Sequence, residues 1–310
     1  MSETPEVVVV GIRMETAQIR SFELARHNGE MLPSWEPGAH VDLHLPSGTV
    51  RQYSLCSDPA DLRRYRIAVL DVDGGRGGSR EAHRALEVGD RVRVSAPRNH
   101  FPLHSAPEYL LIAGGIGITP ILPMARSLAA GTAAVRLVYV GRSRPSMAFI
   151  DELTALGVDT RIVTDDVDGR LDLSALDIGS AAVYACGPVG LLDALAERVP
   201  SQSLHVERFT AEPAARDAHR GSDIFEVELA QSGLVLVVQP GVSVLQAIRS
   251  AGVDVPSSCE MGICGTCETK VLSGDIDHYD DLLTEAERAS GATMMICVSR
   301  SRGPRLTLDR

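Results

Sequence analysis

Four of the chain's six cysteines place the strongest constraint on how it folds. Cys259, Cys264 and Cys267 have the spacing C-x4-C-x2-C, and Cys297 follows thirty positions later. This is the spacing of plant-type [2Fe–2S] ligands, with three thiolates on one loop and a fourth from a separate segment. We therefore predict that these four cysteines bind such a cluster, which transfers single electrons.

Disulfides and structural zinc are the other common roles of clustered cysteines, and both fit less well. Cysteines three to five residues apart in one loop make poor disulfides. Zinc uses the same ligand type, but usually as two separated C-x2-C pairs. The source of the cluster's electrons is then expected in the rest of the chain.

Length, charge and the N-terminal sequence limit the classes of protein that remain. A chain of 310 residues predicts two or three domains. The start, Met1-Ser-Glu-Thr-Pro, lacks the segments of a signal peptide, and apolar runs such as Leu234–Val238 are too short to span a bilayer. We expect a cytoplasmic protein that does not bind membranes.

The acidic excess is concentrated near the end of the chain. The net charge of −11 argues against nucleic acid as a partner. Residues 223–310 contain 13 acidic and 7 basic residues. A solvated surface and a docking face for a basic protein both explain this excess, and the two interpretations stay open.

Short, regularly spaced strands in the first hundred residues predict a small antiparallel barrel. The candidate strands are Val7–Met14, Ile19–Ala25, His40–Leu45, Val50–Leu55, Tyr65–Val69 and Asp90–Ser95, with one helix at Ser79–Leu86. His40 is left outside any site, because a histidine on a strand is more often a packed, hydrogen-bonded core residue. Cys56 is expected to be a small buried apolar residue.

Two motifs in the first hundred residues suit the binding of a ligand that combines a ring system with a phosphate. Arg51-Gln-Tyr53-Ser54 ends a strand, and it offers a flat aromatic surface beside a charge. Gly74-Gly-Arg-Gly77-Gly78-Ser79 precedes the helix, whose unpaired N–H groups and dipole favour an anion. An ordinary glycine-rich hairpin turn is the alternative for the second motif.

Alternating strands and helices from Glu108 onward predict a doubly wound parallel sheet. The strands are Tyr109–Ala113, Ala134–Val140, Asp159–Val163 and Ala181–Ala185, and the helices are Ile118–Ala129, Ser146–Leu156 and Val189–Val199. The first turn, Gly114-Gly115-Ile-Gly117-Ile-Thr119-Pro120, departs from the dinucleotide fingerprint at Pro120. Its glycines still admit a pyrophosphate, with Thr119 predicted to cap the helix and Pro120 to occupy its first position.

Two further turns lie at the carboxyl ends of strands, where ligands bind in open α/β sheets. Gly141-Arg142-Ser-Arg144 is expected near an adenosine ribose, and arginine there leaves the choice between NADH and NADPH open. Cys186-Gly187-Pro188 is the other turn. A buried small apolar residue is the alternative role of its cysteine.

The last ninety residues predict a compact cysteine-bearing domain after a linker at Ala211–Asp223. The elements in order are a hairpin of Ile224–Ala230 and Leu234–Gln239, a helix at Ser243–Ala251 capped by Ser243, the cysteine loop, a strand at Glu268–Leu272, a helix at Thr284–Ala289 with a capping box, and a strand at Met294–Val298 that carries Cys297.

Taken in chain order, these motifs resemble the phthalate dioxygenase reductase family over the whole chain. Pro37–Pro46 followed by Arg51–Pro59 is similar to its vanillate-demethylase-type members. The resemblance implies an antiparallel β-barrel that binds FMN at residues 1–104 and a ferredoxin-reductase-like α/β domain that binds NAD at 105–212. It also implies a linker at 213–223 and a β-grasp, plant-type [2Fe–2S] ferredoxin domain at 224–310.

The resemblance also implies which residues contact each cofactor. The FMN residues are Arg51, Tyr53 and Ser54 along the ring and ribityl chain, Ala68 and Val69 at the ring through their backbone, Gly77, Gly78 and Ser79 at the phosphate, and Phe209 as a candidate shield. The NAD residues are Gly114, Gly115, Gly117, Thr119, Pro120, Arg142, Cys186, Gly187 and Pro188. The iron ligands are Cys259, Cys264, Cys267 and Cys297.

The implied activity is electron transfer from NADH to a separate protein. A hydride passes from NADH to FMN, and single electrons pass through the cluster to a Rieske-type oxygenase component, a demethylase or ring hydroxylase. The cofactors perform the chemistry, so no catalytic side chain is assigned. A cytochrome P450 acceptor and a flavin and iron–sulfur redox sensor are the alternatives. We expect a monomer.

Overall fold

The computed structural model describes residues 5–72, 77–209 and 223–310. The chain divides into two compact units, Met1–Arg208 and Phe209–Arg310. Most of the predicted linker, and Gly74, Gly75 and Arg76 of the glycine-rich turn, lie outside the described residues.

An antiparallel sheet closes into a barrel in the first unit, as the strand spacing predicts. Its strands are β1 (Glu6–Met14), β2 (Ile19–Ala25), β3 (Ala39–His44), β4 (Val50–Ser54), β5 (Tyr65–Leu70), β6 (Arg91–Val94) and the short β7 (Arg98–Asn99), and helix α1 spans Gly78–Ala85. The order is β4-β3-β6-β1-β2-β5, with β7 paired to β3. An antiparallel bridge between Leu55 and Ile67 joins the two outer strands. Alternate apolar side chains, such as Phe22, Val41 and Leu43, fill the interior.

A five-stranded parallel sheet forms the rest of this unit. Its strands are β8 (Glu108–Gly114), β9 (Ala134–Gly141), β10 (Asp159–Thr164), β11 (Ala182–Cys186) and β12 (Leu204–Glu207), with helices α2 (Ile118–Ala129), α3 (Ile150–Ala155) and α4 (Val189–Ala196). The order is β10-β9-β8-β11-β12. Successive strands are therefore added on one side of β8 up to β10 and on the other side from β11 onward, and the switch point between β8 and β11 is where open α/β sheets bind ligands.

Three features of this sheet differ from prediction. Strand β12 was missed, because its four residues are only half-buried and have no apolar period. Helix α3 begins at Ile150 instead of Ser146, because Arg144–Ser146 forms a separate 3₁₀ turn and Phe149 has a left-handed backbone. Helix α4 ends at Ala196, three residues early.

The barrel and the parallel sheet share one hydrophobic core. Ile19, Cys56, Ala68 and Phe101 of the barrel region pack in the same buried cluster as residues of β8 and α2. Cys56 is fully buried, as expected of a small apolar residue. The predicted boundary after residue 104 thus falls between two sheets of one compact unit, and the domain boundaries remain predictions.

The second unit is built on a mixed sheet. Its elements are β13 (Phe225–Leu229), β14 (Leu234–Val238), α5 (Val244–Ser250), β15 (Glu268–Ser273), β16 (Ile276–Asp277), α6 (Glu285–Ser290), β17 (Thr293–Met295), β18 (Arg300–Ser301) and β19 (Arg305–Leu308). The order is β14-β13-β19-β15-β17. The predicted capping box of Thr284 with Glu287 forms, and the predicted cap at Ser243 forms as part of a second box with Gln246.

Two predictions about this unit were wrong. Strand β19 was not predicted, although it is central and pairs parallel to β13 and antiparallel to β15. Cys297 does not lie on a strand, because β17 ends at Met295 and the chain then turns. Within the described ranges, none of the helices has the length and apolarity needed to cross a bilayer.

Candidate functional site

The cysteine loop is shaped by close packing at Gly262. Its backbone is left-handed, with φ of 75°. A Cβ there would lie 2.7 Å from a methyl carbon of Val298 and 3.0 Å from the Cα of Asp280. Only glycine combines this φ with such close contact. The loop is thereby held against the segment that contains Cys297.

The four predicted ligands are buried and approach one another in two pairs. The thiols of Cys259 and Cys264 hydrogen bond to each other, and Cys297 does so with Cys267. The first contact raises the pKa of Cys259 and lowers the pKa of Cys264 to about 6. The hydrogen bond with Cys267, followed by burial, raises the pKa of Cys297.

Backbone N–H groups are also directed at the sulfur atoms. The N–H of Met261 donates to the Sγ of Cys259 at 3.3 Å, and the N–H of Cys259 donates to the Sγ of Cys264 at 3.4 Å. The buried hydroxyl of Ser258 has no partner among the described residues. Donors near sulfur are what an anionic iron–sulfur group requires.

This arrangement fits a two-iron cluster better than a single ion. Among the residues that the structure describes, no three His, Cys, Asp or Glu side chains converge as a mononuclear site requires. A [2Fe–2S] cluster needs two thiolates on each iron, and the structure provides two pairs. The cysteines therefore fit the predicted group.

Asp280 supports the loop, and sequence reasoning missed it. Its buried carboxylate accepts from the N–H groups of Leu282 and Leu283 at 3.3 and 2.8 Å. The next residue, Asp281, donates its N–H to the carbonyl of Gly262 at 3.0 Å. In the sequence Asp280 belongs to an acidic stretch that resembles a solvated surface, so no local signal identifies it.

In the first unit, the structure brings the Arg51 motif to the start of α1. A Cβ at Gly78 would lie 2.6 Å from the Nε of Arg51, so the guanidinium packs on the first turn of that helix. Gly77, with φ of 83°, immediately precedes the helix. Ser79 accepts from the N–H of Val72 at 3.3 Å. A guanidinium beside a helix N-terminus suits a phosphate.

The predicted ring contacts lie on adjacent parts of the barrel. Ala68 and Val69 are buried on β5, and a ring nitrogen of His83 in α1 lies 2.8 Å from the carbonyl oxygen of Val69. Burial raises the pKa of Tyr53 on β4, so its phenol stays neutral. Phe209 begins the second unit, is 37% exposed and keeps its role as a prediction only.

The nucleotide turn and the Cys186 turn meet at the switch point of the parallel sheet. A Cβ at Gly117 would lie 2.2 Å from the carbonyl oxygen of Cys186, and one at Gly114 would lie 2.6 Å from the Cδ of Pro188. A Cβ at Gly187 would lie 3.0 Å from the Cα of Gly114. These glycines thus serve the packing of two turns, while Gly115, with φ of 55° and no atom within 4 Å of its ideal Cβ position, faces open space.

The predicted roles of Thr119 and Pro120 at the helix start were wrong. A 3₁₀ turn at Gly115–Gly117 leads directly into α2, so Thr119 is the second helical residue and Pro120 the third. The Thr119 hydroxyl donates to the carbonyl of Ile116 at 3.0 Å and does not cap the helix. Arg142 follows β9, the strand beside β8, and its side chain is exposed.

A polar contact joins the barrel to this edge of the sheet. The Ser54 hydroxyl at the end of β4 donates to the Glu207 carboxylate at 3.5 Å. Glu207 ends β12 directly beside Cys186 in the parallel pairing. Burial raises the pKa of Glu207 to about 8, although the Ser54 hydrogen bond acts against the shift. Burial, and then the Glu207 carboxylate, raise the pKa of Cys186.

Two more residues lie at this junction: Glu207, which sequence reasoning missed, and His40, which it left outside any site. Glu207 lies on the strand that was not predicted. His40 is only 1% exposed, but neither of its ring nitrogens has a hydrogen-bond partner among the described residues, so its expected hydrogen bonding was wrong. It pairs with Ser54 across the two strands, which places both side chains on one face. Unpaired buried nitrogens at this position fit a site that holds a polar ligand.

Comparisons with known proteins match this architecture. Residues 227–302 match the family described as the 2Fe-2S iron-sulfur cluster binding domain. The chain is 43% identical to the heme-dependent oxidative N-demethylase beta subunit of Ectopseudomonas mendocina (strain ymp), with 100% of both chains covered. It is 41% identical to the vanillate O-demethylase oxidoreductase of Pseudomonas sp. (strain HR199 / DSM 7063), with 98% of this chain and 99% of the relative covered.

Solved structures agree. The crystal structure of phthalate dioxygenase reductase, described as a modular structure for electron transfer from pyridine nucleotides to [2Fe-2S], matches with a TM-score of 0.70 and 38% identity over 99% of this chain and 98% of that chain. The chain belongs to the phthalate dioxygenase reductase family. It is an oxidoreductase of the oxygenase reductase type, and its resemblance to vanillate-demethylase-type members is confirmed.

A solved structure with a longer chain also matches. An intact type IV self-sufficient cytochrome P450 monooxygenase matches with a TM-score of 0.89 and 42% identity over 98% of this chain. The chain covers 41% of that longer chain.

Proposed function

We propose that this family member is an NADH-dependent reductase that takes a hydride from NADH onto FMN and delivers electrons singly, through a [2Fe–2S] cluster, to the Rieske oxygenase component of a demethylase or ring hydroxylase. The observation that carries the proposal is the contact between Ser54 and Glu207 beside Cys186. It joins the candidate flavin strand to the switch point of the nucleotide sheet.

The candidate flavin residues support the binding of FMN. Arg51 of β4, whose side chain packs on α1, would hold the phosphate together with Gly77, Gly78 and Ser79, since they combine a guanidinium with a helix N-terminus. Tyr53, Ser54, Ala68 and Val69 would border the ring. When bound, FMN accepts a hydride and releases electrons one at a time, which links a two-electron donor to a one-electron cluster.

The candidate nucleotide residues support a nicotinamide at the switch point. Gly115 leaves open space at the turn, while the packing of Gly114 and Gly117 on Gly187 holds the Cys186 turn in place. Thr119 and Pro120 are buried behind this turn and would shape it rather than touch the ligand. Arg142 is exposed and would lie at the adenosine end, with NADH as the proposed donor.

Glu207 would hold a proton beside the reacting rings. With a pKa of about 8, its carboxyl is protonated at neutral pH and has a hydrogen to donate. Ser54 keeps this carboxyl at a fixed position on the barrel side. A neutral carboxyl also avoids placing a buried charge next to Cys186.

The second unit supports delivery to a separate protein. Its four buried cysteines would bind the cluster, and the N–H donors of Met261 and Cys259 would stabilise its charge. Residues 223–310 contain 13 acidic and 7 basic residues, which favours a basic surface on the acceptor. We propose that the protein acts in the cytoplasm as a monomer.

A cytochrome P450 acceptor is the second candidate. The likeness to part of a self-sufficient cytochrome P450 monooxygenase favours it. The relatives that match end to end include reductases and beta subunits of demethylases, which favour a separate oxygenase component.

An anaerobic titration tests the proposal. The purified protein is mixed with NADH or NADPH while its visible spectrum is recorded, and we expect flavin and cluster bands that bleach with NADH. Cys297→Ser should abolish electron delivery to cytochrome c and leave the flavin reducible. Absence of bleaching with either nucleotide would contradict the function. Unchanged cytochrome c reduction by the variant would contradict the electron path.

A further inference from the structure

Arg66 forms a charged contact between the barrel and the parallel sheet. On β5, its guanidinium donates through Nη1 and Nη2 to the two carboxylate oxygens of Glu152, each at 2.7 Å. Its side chain is 14% exposed and that of Glu152 is 28% exposed. Such a bidentate, partly desolvated pair fixes orientation as well as distance.

The same two side chains also contact two more segments of the unit. Arg66 Nη2 also donates to the carbonyl of Cys56 at 2.9 Å, two residues beyond Ser54 of the candidate flavin strand β4. Arg126, in the last turn of α2, donates to Glu152 at 3.0 Å. Helix α2 begins at the candidate nucleotide turn. The contact therefore connects both candidate flavin strands to the helix that follows the nucleotide turn.

The backbone at Phe149 is strained where this contact forms. Phe149 has φ of 64°, a left-handed backbone conformation that is unfavourable for a residue other than glycine. Its buried ring lies 4.8 Å beneath the Arg66 guanidinium, and helix α3, with Glu152 in its first turn, starts at the next residue. This strained turn thus places both the Phe149 ring and the Glu152 carboxylate against the Arg66 guanidinium.

Glu152 is ionised in this environment. Burial alone would raise its pKa, but the hydrogen bonds and charges of Arg66 and Arg126 outweigh that effect and lower the pKa below its ordinary value. The carboxylate therefore stays paired at neutral pH, and acid weakens the contact.

We propose that Arg66 and Glu152 are positioning residues for hydride transfer, and that they hold the flavin strands and the nucleotide turn at reactive distance. This rests on the proposed function. Reacting atoms must approach to about 3 to 3.5 Å, and a displacement of about 1 Å lowers the rate by roughly a hundredfold. Arg66 lies two residues before Ala68, so loosening it moves the strand that borders the ring.

Single-turnover reduction by saturating NADH tests this role. In Glu152→Gln, which keeps the shape and loses the charge, we expect the rate of flavin reduction to fall by about tenfold or more. The apparent dissociation constants for NADH and FMN, and the flavin and cluster spectra, should stay unchanged. The primary isotope effect with deuterated NADH should approach its full value. Arg66→Lys, which keeps the charge and loses the bidentate geometry, is the second variant.

Glu108→Gln is the matched control. Glu108 pairs with Arg136 at 2.8 Å with similar exposure, but both residues lie within the parallel sheet. Hydrogen exchange of the β5 amides in the flavin-free protein should accelerate in Glu152→Gln and not in Glu108→Gln. Equal reduction rates in Glu152→Gln, Arg66→Lys and the Glu108→Gln control would overturn the inference. If the unaltered protein were not reduced by NADH, the proposed function itself would fail.

Discussion

At the scale of single residues, Glu207 shows how burial sets the chemistry of a site. Its carboxyl has a pKa raised by burial from 4.5 to about 8, and it accepts a hydrogen bond from the Ser54 hydroxyl. Because burial disfavours the charged carboxylate, Glu207 keeps its proton at neutral pH, and its ionisation is costly in the folded state. Stability should therefore depend on pH through this residue.

Glu207→Gln tests that dependence. Between pH 4.5 and 8 the folded state keeps a proton that the unfolded state loses, so the carboxyl lowers stability as pH rises and has no further effect above pH 8. The loss is at most about 1.4 kcal/mol per pH unit, and solvent near the half-buried group reduces it. The unfolding midpoint of Glu207→Gln, measured relative to that of the unaltered protein, should therefore be higher at pH 9 than at pH 5.

The chain's single tryptophan makes this measurement specific to the first unit. Trp35 is buried in the barrel, so its fluorescence follows unfolding of the unit that contains Glu207. A difference between the two proteins that did not change with pH would contradict the raised pKa.

At the scale of elements, two turns at the switch point pack so closely that glycine is required. Gly117 lies against the carbonyl of Cys186, and Gly114 lies against Gly187 and Pro188. The sequence indicated Gly114 and Gly117 as residues that admit a pyrophosphate. The structure adds that they position the Cys186 turn against the nucleotide turn, which explains why both motifs occur together.

Gly117→Ala should displace this pair of turns. The new Cβ would lie 2.2 Å from the Cys186 carbonyl oxygen, so we expect a loss of about 1 to 3 kcal/mol in stability and at least about a tenfold slower flavin reduction by NADH. Chemical reduction of the flavin by dithionite should be unaffected.

Gly190→Ala, in the neighbouring helix α4, is the control for that substitution. The new Cβ would have no atom within 4 Å, and alanine is favoured over glycine in a helix. NADH-dependent reduction in Gly117→Ala at the same rate as in this control would show that the close packing does not govern the site.

At the scale of the whole molecule, the acidic excess is greatest, for its length, in the last part of the chain. Residues 223–310 have a net charge of −6, from 7 basic and 13 acidic residues. Long-range attraction of this kind raises the rate of encounter with a basic protein and is screened by salt.

Electron delivery to cytochrome c, a basic protein, should therefore slow with ionic strength. Stopped-flow rates at excess NADH are measured from low salt to 1 M, where the screening length falls to about 3 Å. Ferricyanide, an anion, serves as the control, and its reduction should not slow with added salt. A cytochrome c rate that is independent of salt would contradict acidic docking.

The sequence by itself determined the features that depend on local spacing. The cysteine pattern, the strands of the first unit other than β7 and β12, the cap at Ser243 and the capping box at Thr284 follow from short-range periodicity and side-chain chemistry, so they were predictable. The family resemblance followed from the same motifs in order.

Only the tertiary structure decided the contacts between distant segments. Strand β19 is central but short, and Glu207, Asp280 and the pair of Arg66 with Glu152 acquire their roles from elements far away in the chain. A charged residue on a short strand has the same local pattern whether it faces solvent or a buried junction. Burial and pairing decide between these outcomes, and both depend on which segments meet when the chain folds.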